Sequence, residues 1–126
     1  MLNGFKLPTS KRAQIIDITE TVKNCVKDSK IEEGIAIVYS PHTTAGITIN
    51  EGADPDVRTD INSALERIVP RDWNFLHAEG NSDSHIKTSM MNPGQTLIIS
   101  EGKLVLGTWQ AIYFCEFDGP RSRTFY

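Results

Sequence analysis

The feature that most constrains this chain is the stretch Pro41–Asp54, where an alternating segment runs directly into a helix start signal. If the segment is extended, one side carries polar or small residues and the other apolar ones: His42, Thr44, Gly46, Thr48 and Asn50 against Ala45, Ile47 and Ile49. Asp54-Pro55 then supplies a capping carboxylate and a proline at the first helical position. Because free N–H groups at a helix start favour anions, this pattern predicts an anion-binding site. A solvated strand face before a well-capped helix would have the same pattern.

The rest of the chain alternates between strand and helix periodicity without repeats. We expect strands at 5–7, 11–18, 35–39, 42–50, 95–100, 103–106, 107–117 and 121–126, and helices at 19–28, 55–68 and 85–91. The strand that Gly34 opens is apolar on both faces, which favours a place inside the protein. The order predicts a single α+β domain, residues 1–126, built as a two-sheet β-sandwich with two main helices and one short helix.

Composition narrows the classes of partner. Thirteen basic and sixteen acidic side chains leave a net charge of −3, and no basic run follows the chain, so we expect neither nucleic acid nor a membrane as partner. No apolar run approaches the ~20 residues that cross a bilayer, and no signal peptide is visible. Cys25 and Cys115 lack a Cys-x-x-Cys pattern, so we expect free thiols and a cytoplasmic location.

The three histidines, His42, His77 and His85, all lie in polar segments that contain glycine. If the aperiodic stretch Arg71–Ser84 folds back over the His42 strand, the three imidazoles predict a zinc-type metal site with one open coordination position. They are equally suited to contact phosphate or to act in acid–base catalysis near neutral pH. The spacing does not match the His-Glu-x-x-His pattern of helical zinc sites.

Other polar residues offer alternatives. An acidic cluster favours Mg²⁺ if it binds a metal at all, and otherwise serves capping and solubility: Glu51, Asp54, Asp56 and Asp60. The motif Gly107-Thr108-Trp109-Gln110 predicts either a close approach of a ligand or a strand kink with Trp109 anchored in the core. Arg121 suits a phosphate fork or an ordinary surface position. No P-loop, dinucleotide-binding glycine pattern or nucleophile elbow is present.

Several of these motifs together resemble the YjbQ family, also called the secondary thiamine-phosphate synthase family, over nearly the whole length. The resemblance rests on His42-Thr43-Thr44-Ala45, Asn50 to Val57, Gly80-Asn81 with His85-Ile86-Lys87, and Gly107 to Gln110. Ser84 and Thr88 depart from the small residues expected there, and Asn92-Pro93-Gly94 is slightly long for the turn. The resemblance implies an α+β sandwich that forms a homotrimer through its sheets, with a site near the histidines at a subunit boundary.

The resemblance also implies a weak thiamine-phosphate synthase activity, which joins a hydroxymethylpyrimidine pyrophosphate to a thiazole phosphate. It implies these site residues: His42, Asn50, Glu51, His77, Asn81, His85 and Gln110. We expect a divalent metal cofactor, zinc or magnesium, at the histidines or the acidic cluster, and a small phosphorylated substrate held by the Pro55 helix start and Arg121, with Trp109 beneath. The alternatives are a metal-dependent hydrolase of a small anionic substrate and a non-catalytic trimeric protein that binds a phosphorylated metabolite.

Overall fold

A computed structural model describes the chain from Met1 to Tyr126. Its eight strands are β1 (Phe5–Pro8), β2 (Gln14–Asp17), β3 (Gly34–Tyr39), β4 (Ala45–Glu51), β5 (Gly94–Ser100), β6 (Lys103–Leu104), β7 (Gln110–Glu116) and β8 (Ser122–Phe125). Its three helices are α1 (Thr19–Ser29), α2 (Pro55–Ile68) and α3 (Ser82–Met91). The α+β prediction is confirmed, with every predicted element present and most ends shifted by a few residues.

The strands form antiparallel sheets that stack in two layers. One layer is the sheet β2-β7-β4, and the other contains the sheets β1-β8 and β3-β5-β6. The backbones of Tyr39 and Tyr126 exchange two hydrogen bonds of 2.7 and 2.8 Å, which join the end of β8 to β3. The second layer therefore behaves as one broken sheet, in agreement with the predicted sandwich.

Strand β7 is the centre of the fold because both of its faces are buried. Ile112 and Phe114 point into the core between the two layers, which also contains Val38, Ala45, Ile47, Leu97 and Phe125. The alternate residues of β7 pack under α2 in a second core, whose members are Ile15, Leu65, Ala111, Tyr113, Cys115 and Phe117. The period-two alternation of side chains along a strand accounts for these two faces.

Trp109 is the exception on that strand. We considered it as a core anchor, and that interpretation is wrong: Trp109 is 64% exposed. The chain turns at Thr108-Trp109, so β7 begins only at Gln110 and the indole stays outside the sheet.

The interior position expected for β3 is also wrong for this chain alone. β3 pairs along its length with β5 only, and Ile35, Ile37 and Tyr39 lie on an outer face, 63%, 63% and 45% exposed. The apolar character of that face has no partner within the chain.

The predicted start of α2 is correct, whereas the predicted start of α3 is shifted. The Asp54 side chain accepts a hydrogen bond of 2.9 Å from the Asp56 amide and Pro55 is the first residue of α2, as predicted. α3 begins at Ser82, three residues before the predicted start, and Asn81 takes the cap position. No helix has the length and apolar character that a membrane span needs.

Candidate functional site

His42 lies in the connection between β3 and β4, and β8 fixes its ring. It precedes β4, so it does not share the strand face that the alternation assigned to it. The Nε2 atom lies 3.0 Å from both the amide nitrogen and the carbonyl oxygen of Thr124. We assign the tautomer with the proton on Nδ1, because Nε2 then accepts the hydrogen bond of a backbone N–H that would otherwise lack an acceptor.

The charge state of His42 follows from its surroundings. Burial of the ring lowers the pKa of His42, and the nearby Arg123 guanidinium lowers it further, while the Thr124 carbonyl, which would accept a hydrogen bond from the protonated ring, offsets part of the change. Arg123 is itself buried and paired with Glu116 through Nε and Nη2. His42 is therefore a neutral imidazole at pH 7, held by Thr124 beside the buried ion pair that joins β8 to β7.

His85 reaches the same region because α3 packs closely on β4. A Cβ at Gly46 would lie 2.8 Å from the Asn92 carbonyl oxygen, so only glycine permits this approach. The Ile47 amide donates to the same carbonyl at 3.0 Å, and the Gln95 side chain donates to the Ile47 carbonyl at 2.9 Å. The C-terminal end of α3 is thus fixed against the start of β4.

The opposite side of α3 is anchored by buried charges. Asp83 is completely buried and accepts two hydrogen bonds of 2.9 Å from the Arg12 guanidinium and one of 3.1 Å from Lys87. Lys87, 1% exposed, also donates to Glu66 of α2 at 2.6 Å. Burial alone would raise the pKa of Asp83, but the hydrogen bonds from Arg12 and Lys87 outweigh it and lower that pKa. These contacts fix the rotation of α3 and hence the direction of His85.

His42 and His85 line one cavity of about 370 Å³. The other lining residues are Tyr39, Ser40, Pro41, Thr43, Thr88, Ser89 and Pro93. The lining contains no carboxylate, lysine or arginine, so no side chain of fixed charge lines the cavity. The Thr88 hydroxyl is buried and has no hydrogen-bond partner in the chain. This cavity is the candidate site.

His77 extends the candidate site outward. Its ring meets the ring of His85 edge to face, with centroids 5.3 Å apart and planes at 86°. Its Nε2 lies 3.8 Å from the Glu79 carboxylate. The long segment before α3 therefore folds back onto His85, whereas His77 does not line the cavity with His42.

Asn81 and Arg121 meet at Asp118, which sequence reasoning did not single out. The Asn81 amide nitrogen donates to Asp118 Oδ2 at 2.8 Å, and Arg121 donates to the same oxygen at 3.0 Å. Asn81 is one helical turn before His85, and its own Oδ1 is buried without a partner. Arg121 is committed to Asp118 through both its Nε and Nη2 groups, so its role as a phosphate fork stays a prediction.

Asn50, Glu51 and Gln110 lie at the other end of β4. Glu51 pairs with Gln110 across the β4–β7 ladder, whereas His42 lies before Ala45 at the opposite end. The six residue-to-residue steps from Ala45 to Glu51, at about 3.3 Å each, separate the two ends by roughly 20 Å. The Asn50 and Gln110 side chains accept hydrogen bonds from the amides of Glu51 and Gly107. Within one chain these three residues do not share a cavity with the histidines.

The predicted three-histidine metal centre is wrong. No three His, Cys, Asp or Glu side chains converge on a point where they would hold a metal ion. The physical reason at His42 is that its Nε2 faces the Thr124 amide. The acidic cluster fails in the same way, because the Asp54 carboxylate caps α2. The wider expectation of a divalent metal cofactor stays a prediction. The histidines and the acidic cluster do not form a site for it.

Sequence reasoning missed the hydroxyl groups of the cavity. Thr88 and Ser89 lie three and four residues after His85, so helical spacing alone places them beside it. Ser40 and Tyr39 precede His42 at the end of β3. Thr88 and Ser89 lie within the predicted helix 85–91, so applying helical spacing from His85 would have found this pair.

Comparison with known proteins now decides the family. The model of the UPF0047 protein YjbQ-like family matches residues 3–126. The chain belongs to the YjbQ/UPF0047 family. A UPF0047 protein of Methanocaldococcus jannaschii is 54% identical over all of this chain and 91% of its own length, and YugU of Bacillus subtilis is 48% identical over all of this chain and 96% of its own.

Solved YjbQ/UPF0047 structures share the fold. A crystal structure of a family protein from Clostridium acetobutylicum is 53% identical with a TM-score of 0.98, covering 99% of this chain and 97% of that one. A YbjQ-like protein of unknown function from Sulfolobus solfataricus is 30% identical with a TM-score of 0.94, covering 98% and 91%.

These relatives overturn the predicted activity. They are described as UPF0047 proteins, as uncharacterised or as of unknown function, and none of these descriptions mentions thiamine-phosphate synthesis or metal binding. Together with the absence of converging metal ligands, this makes the prediction of a metal-assisted thiamine-phosphate synthase wrong, and removes the basis for the metal-dependent hydrolase.

Proposed function

We propose that the cavity shared by His42 and His85 binds a small phosphorylated molecule directly through imidazole and hydroxyl groups. The observation that carries this is the convergence of the two histidines on one cavity without a carboxylate in its lining. Phosphate oxygens accept hydrogen bonds from N–H and O–H donors, and a lining free of carboxylates does not repel them.

The hydrogen-bond donors in the cavity differ in whether they already have an acceptor within the chain. The Ser40 hydroxyl donates to the Ala45 carbonyl at 2.7 Å and the Ser89 hydroxyl to the His85 carbonyl at 3.0 Å. His42 keeps an Nδ1–H without a partner in the chain, and Thr88 keeps its hydroxyl. His42, Thr88 and His85 are therefore the groups we assign to the phosphate.

Calorimetric titration with inorganic phosphate and with phenyl phosphate tests this assignment. We expect His85→Gln and Thr88→Val each to weaken binding of both probes by about tenfold, which corresponds to roughly 1.4 kcal/mol for one lost hydrogen bond to a charged group. Gln110→Ala, at the far end of β4, is the matched control and should leave affinity unchanged. Equal affinities in all four proteins would contradict the proposal.

We further propose that the protein works as a homotrimer whose copies cover the outer face of β3 and β5. Ile35 and Ile98 are directly paired on that face, and both are about 60% exposed. An apolar cavity of about 620 Å³ continues the face towards α1, and Tyr39 lines both this cavity and the histidine cavity. A second copy seated on this face would shield the apolar side chains and border the candidate site.

A cytoplasmic location is the remaining part of the proposal. Cys25 and Cys115 are both free, which suits a reducing compartment. Burial raises the pKa of the Cys115 thiol to about 12, so this group stays protonated and unreactive. Fractionation of cells that produce the protein tests the location.

A further inference from the structure

The segment Pro70–Gly80, here called the α2–α3 loop, is joined to the rest of the protein by very little. Its two backbone hydrogen bonds are internal, from Trp73 to the Pro70 carbonyl and from Phe75 to that of Trp73. Its closest approach of two polar side chains, 3.8 Å between His77 Nε2 and the Glu79 carboxylate, is internal as well. No hydrogen bond or salt bridge leads from this loop to another part of the chain. Surface loops of this length in compact domains are frequently functional.

The α2–α3 loop is nevertheless apolar where it is most exposed. Leu76 is fully exposed at 103% and Trp73 is 61% exposed. The Trp73 ring contacts the ring of Phe75 within the same loop, with centroids 5.8 Å apart. Exposing large apolar side chains to water is unfavourable, so such residues usually mark a surface that contacts another group.

The loop meets the candidate site at the edge-to-face contact between His77 and His85. Leu76 is the neighbour of His77 along the chain, so any movement of the loop about this contact carries Leu76 with it. The loop is therefore placed to respond to whatever occupies the cavity beside His85.

The ends of the loop suit a hinge. Gly80 has a φ of +72°, and a Cβ added there would meet nothing within 4 Å, so the backbone turns in open space. α3, immediately after it, is held by the buried contacts of Asp83 and Lys87. Pro70 fixes φ at the other end, directly after the buried Val69. Movement is thus confined to the loop itself, while His85 stays in place.

We propose that the α2–α3 loop is a lid that closes over the His42–His85 cavity and brings Leu76 and Trp73 onto the apolar part of the bound molecule. The lid rests on the proposed function and narrows its ligand class to phosphomonoesters that carry an apolar or aromatic group. Inorganic phosphate would fill only the polar end of such a site.

A pair of probes separates the lid from the cavity. We expect the wild-type protein to bind phenyl phosphate about tenfold more tightly than inorganic phosphate, and Leu76→Ala to lose that difference while its affinity for inorganic phosphate is unchanged. Ile68→Ala, which truncates an apolar residue at the end of α2 that is 59% exposed and lies outside the loop, is the control and should keep the preference. A preference that survives in Leu76→Ala, or weaker binding of both probes, overturns the lid.

Hydrogen exchange measured by mass spectrometry gives a second test of the lid, and it also applies to the ligand-free protein. We expect amides of 71–80 in the free protein to exchange at least about a hundredfold faster than those of α3, and to become protected by phenyl phosphate but not by inorganic phosphate. Free-state protection equal to that of α3 overturns the lid, as does protection that appears only as protein concentration rises, which would assign the loop to a contact between copies.

The two failures are distinguishable. If both probes bind and the loop does not respond, the lid is wrong and the proposed phosphate site stands. If neither probe binds the wild-type protein, the proposed function is wrong and the lid loses its ligand with it.

Discussion

The amide of Thr124 and the Nε2 atom of His42 lie 3.0 Å apart, and this contact joins the last strand of the fold to the candidate site. A ring held in this way contributes to stability only while it is neutral. The position of His42 is thus a structural requirement as well as a feature of the cavity.

A dependence of stability on pH follows for His42. Its folded-state pKa lies below the unfolded value of 6.5, because burial disfavours the charged ring. The unfolded chain therefore binds the proton first, so the contribution of His42 is complete above about pH 6.5 and is lost as pH falls from there towards the folded-state pKa. Urea unfolding at several pH values should show the difference between wild type and His42→Asn shrinking at acid pH. A difference that is constant from pH 5 to pH 8 would contradict this.

The buried network around Asp83 predicts an asymmetric response to mutation. Asp83→Asn leaves Arg12 and Lys87 without their shared carboxylate, so we expect a loss of about 3 kcal/mol in the free energy of unfolding. Glu20→Gln removes the exposed pair with Lys23 and should cost less than about 0.5 kcal/mol. The denaturant midpoints of the two variants test this prediction. Similar losses of stability in both would show that burial of the network is unimportant.

The close contact of β4 with α3 predicts a strict requirement at Gly46. A methyl group there would press on the Asn92 carbonyl and the Met91 Cβ, at 2.8 and 3.2 Å. We expect Gly46→Ala to cost about 1–3 kcal/mol through overpacking and to weaken phosphate binding by displacing α3. Gly34→Ala, whose nearest neighbour would be an Ile31 methyl group at 3.5 Å, is the control. Thermal unfolding compares them, and a tolerated Gly46→Ala would refute the tight packing.

The outer face of β3 predicts the oligomeric state. Ile37 is 63% exposed in the single chain, so Ile37→Glu should be tolerated by the monomer and should disrupt the proposed trimer. Ile68→Glu places the same charge on an equally exposed residue outside that face and should leave the trimer intact. Light scattering coupled to size exclusion gives the masses. A wild-type monomer, or a trimer that survives Ile37→Glu, would exclude this interface.

Local sequence patterns were enough to predict most of the fold. The Asp54-Pro55 start of α2 and the two buried faces of β7 follow from capping and period-two rules that need only neighbouring residues. The rules failed at Trp109 and at β3, because a turn of two residues and an uncovered sheet face leave no mark in local periodicity.

The site was harder to predict than the fold. The meeting of His42 with His85 depends on how closely α3 approaches Gly46, which is a long-range packing distance. Sequence grouped His42 with Asn50 by alternation, but the chain turns between His42 and Ala45 and separates them. The ligand sets of metal sites depend on convergence in space, so the histidine count alone was misleading.

Nitrogen-15 NMR of the imidazole rings during titration with inorganic phosphate tests the central claim most directly. We predict that His42 shows the Nδ1–H tautomer and that the resonances of His42 and His85 shift together and saturate. Resonances of both rings that stay unchanged while phosphate is added would contradict a phosphate site in this cavity.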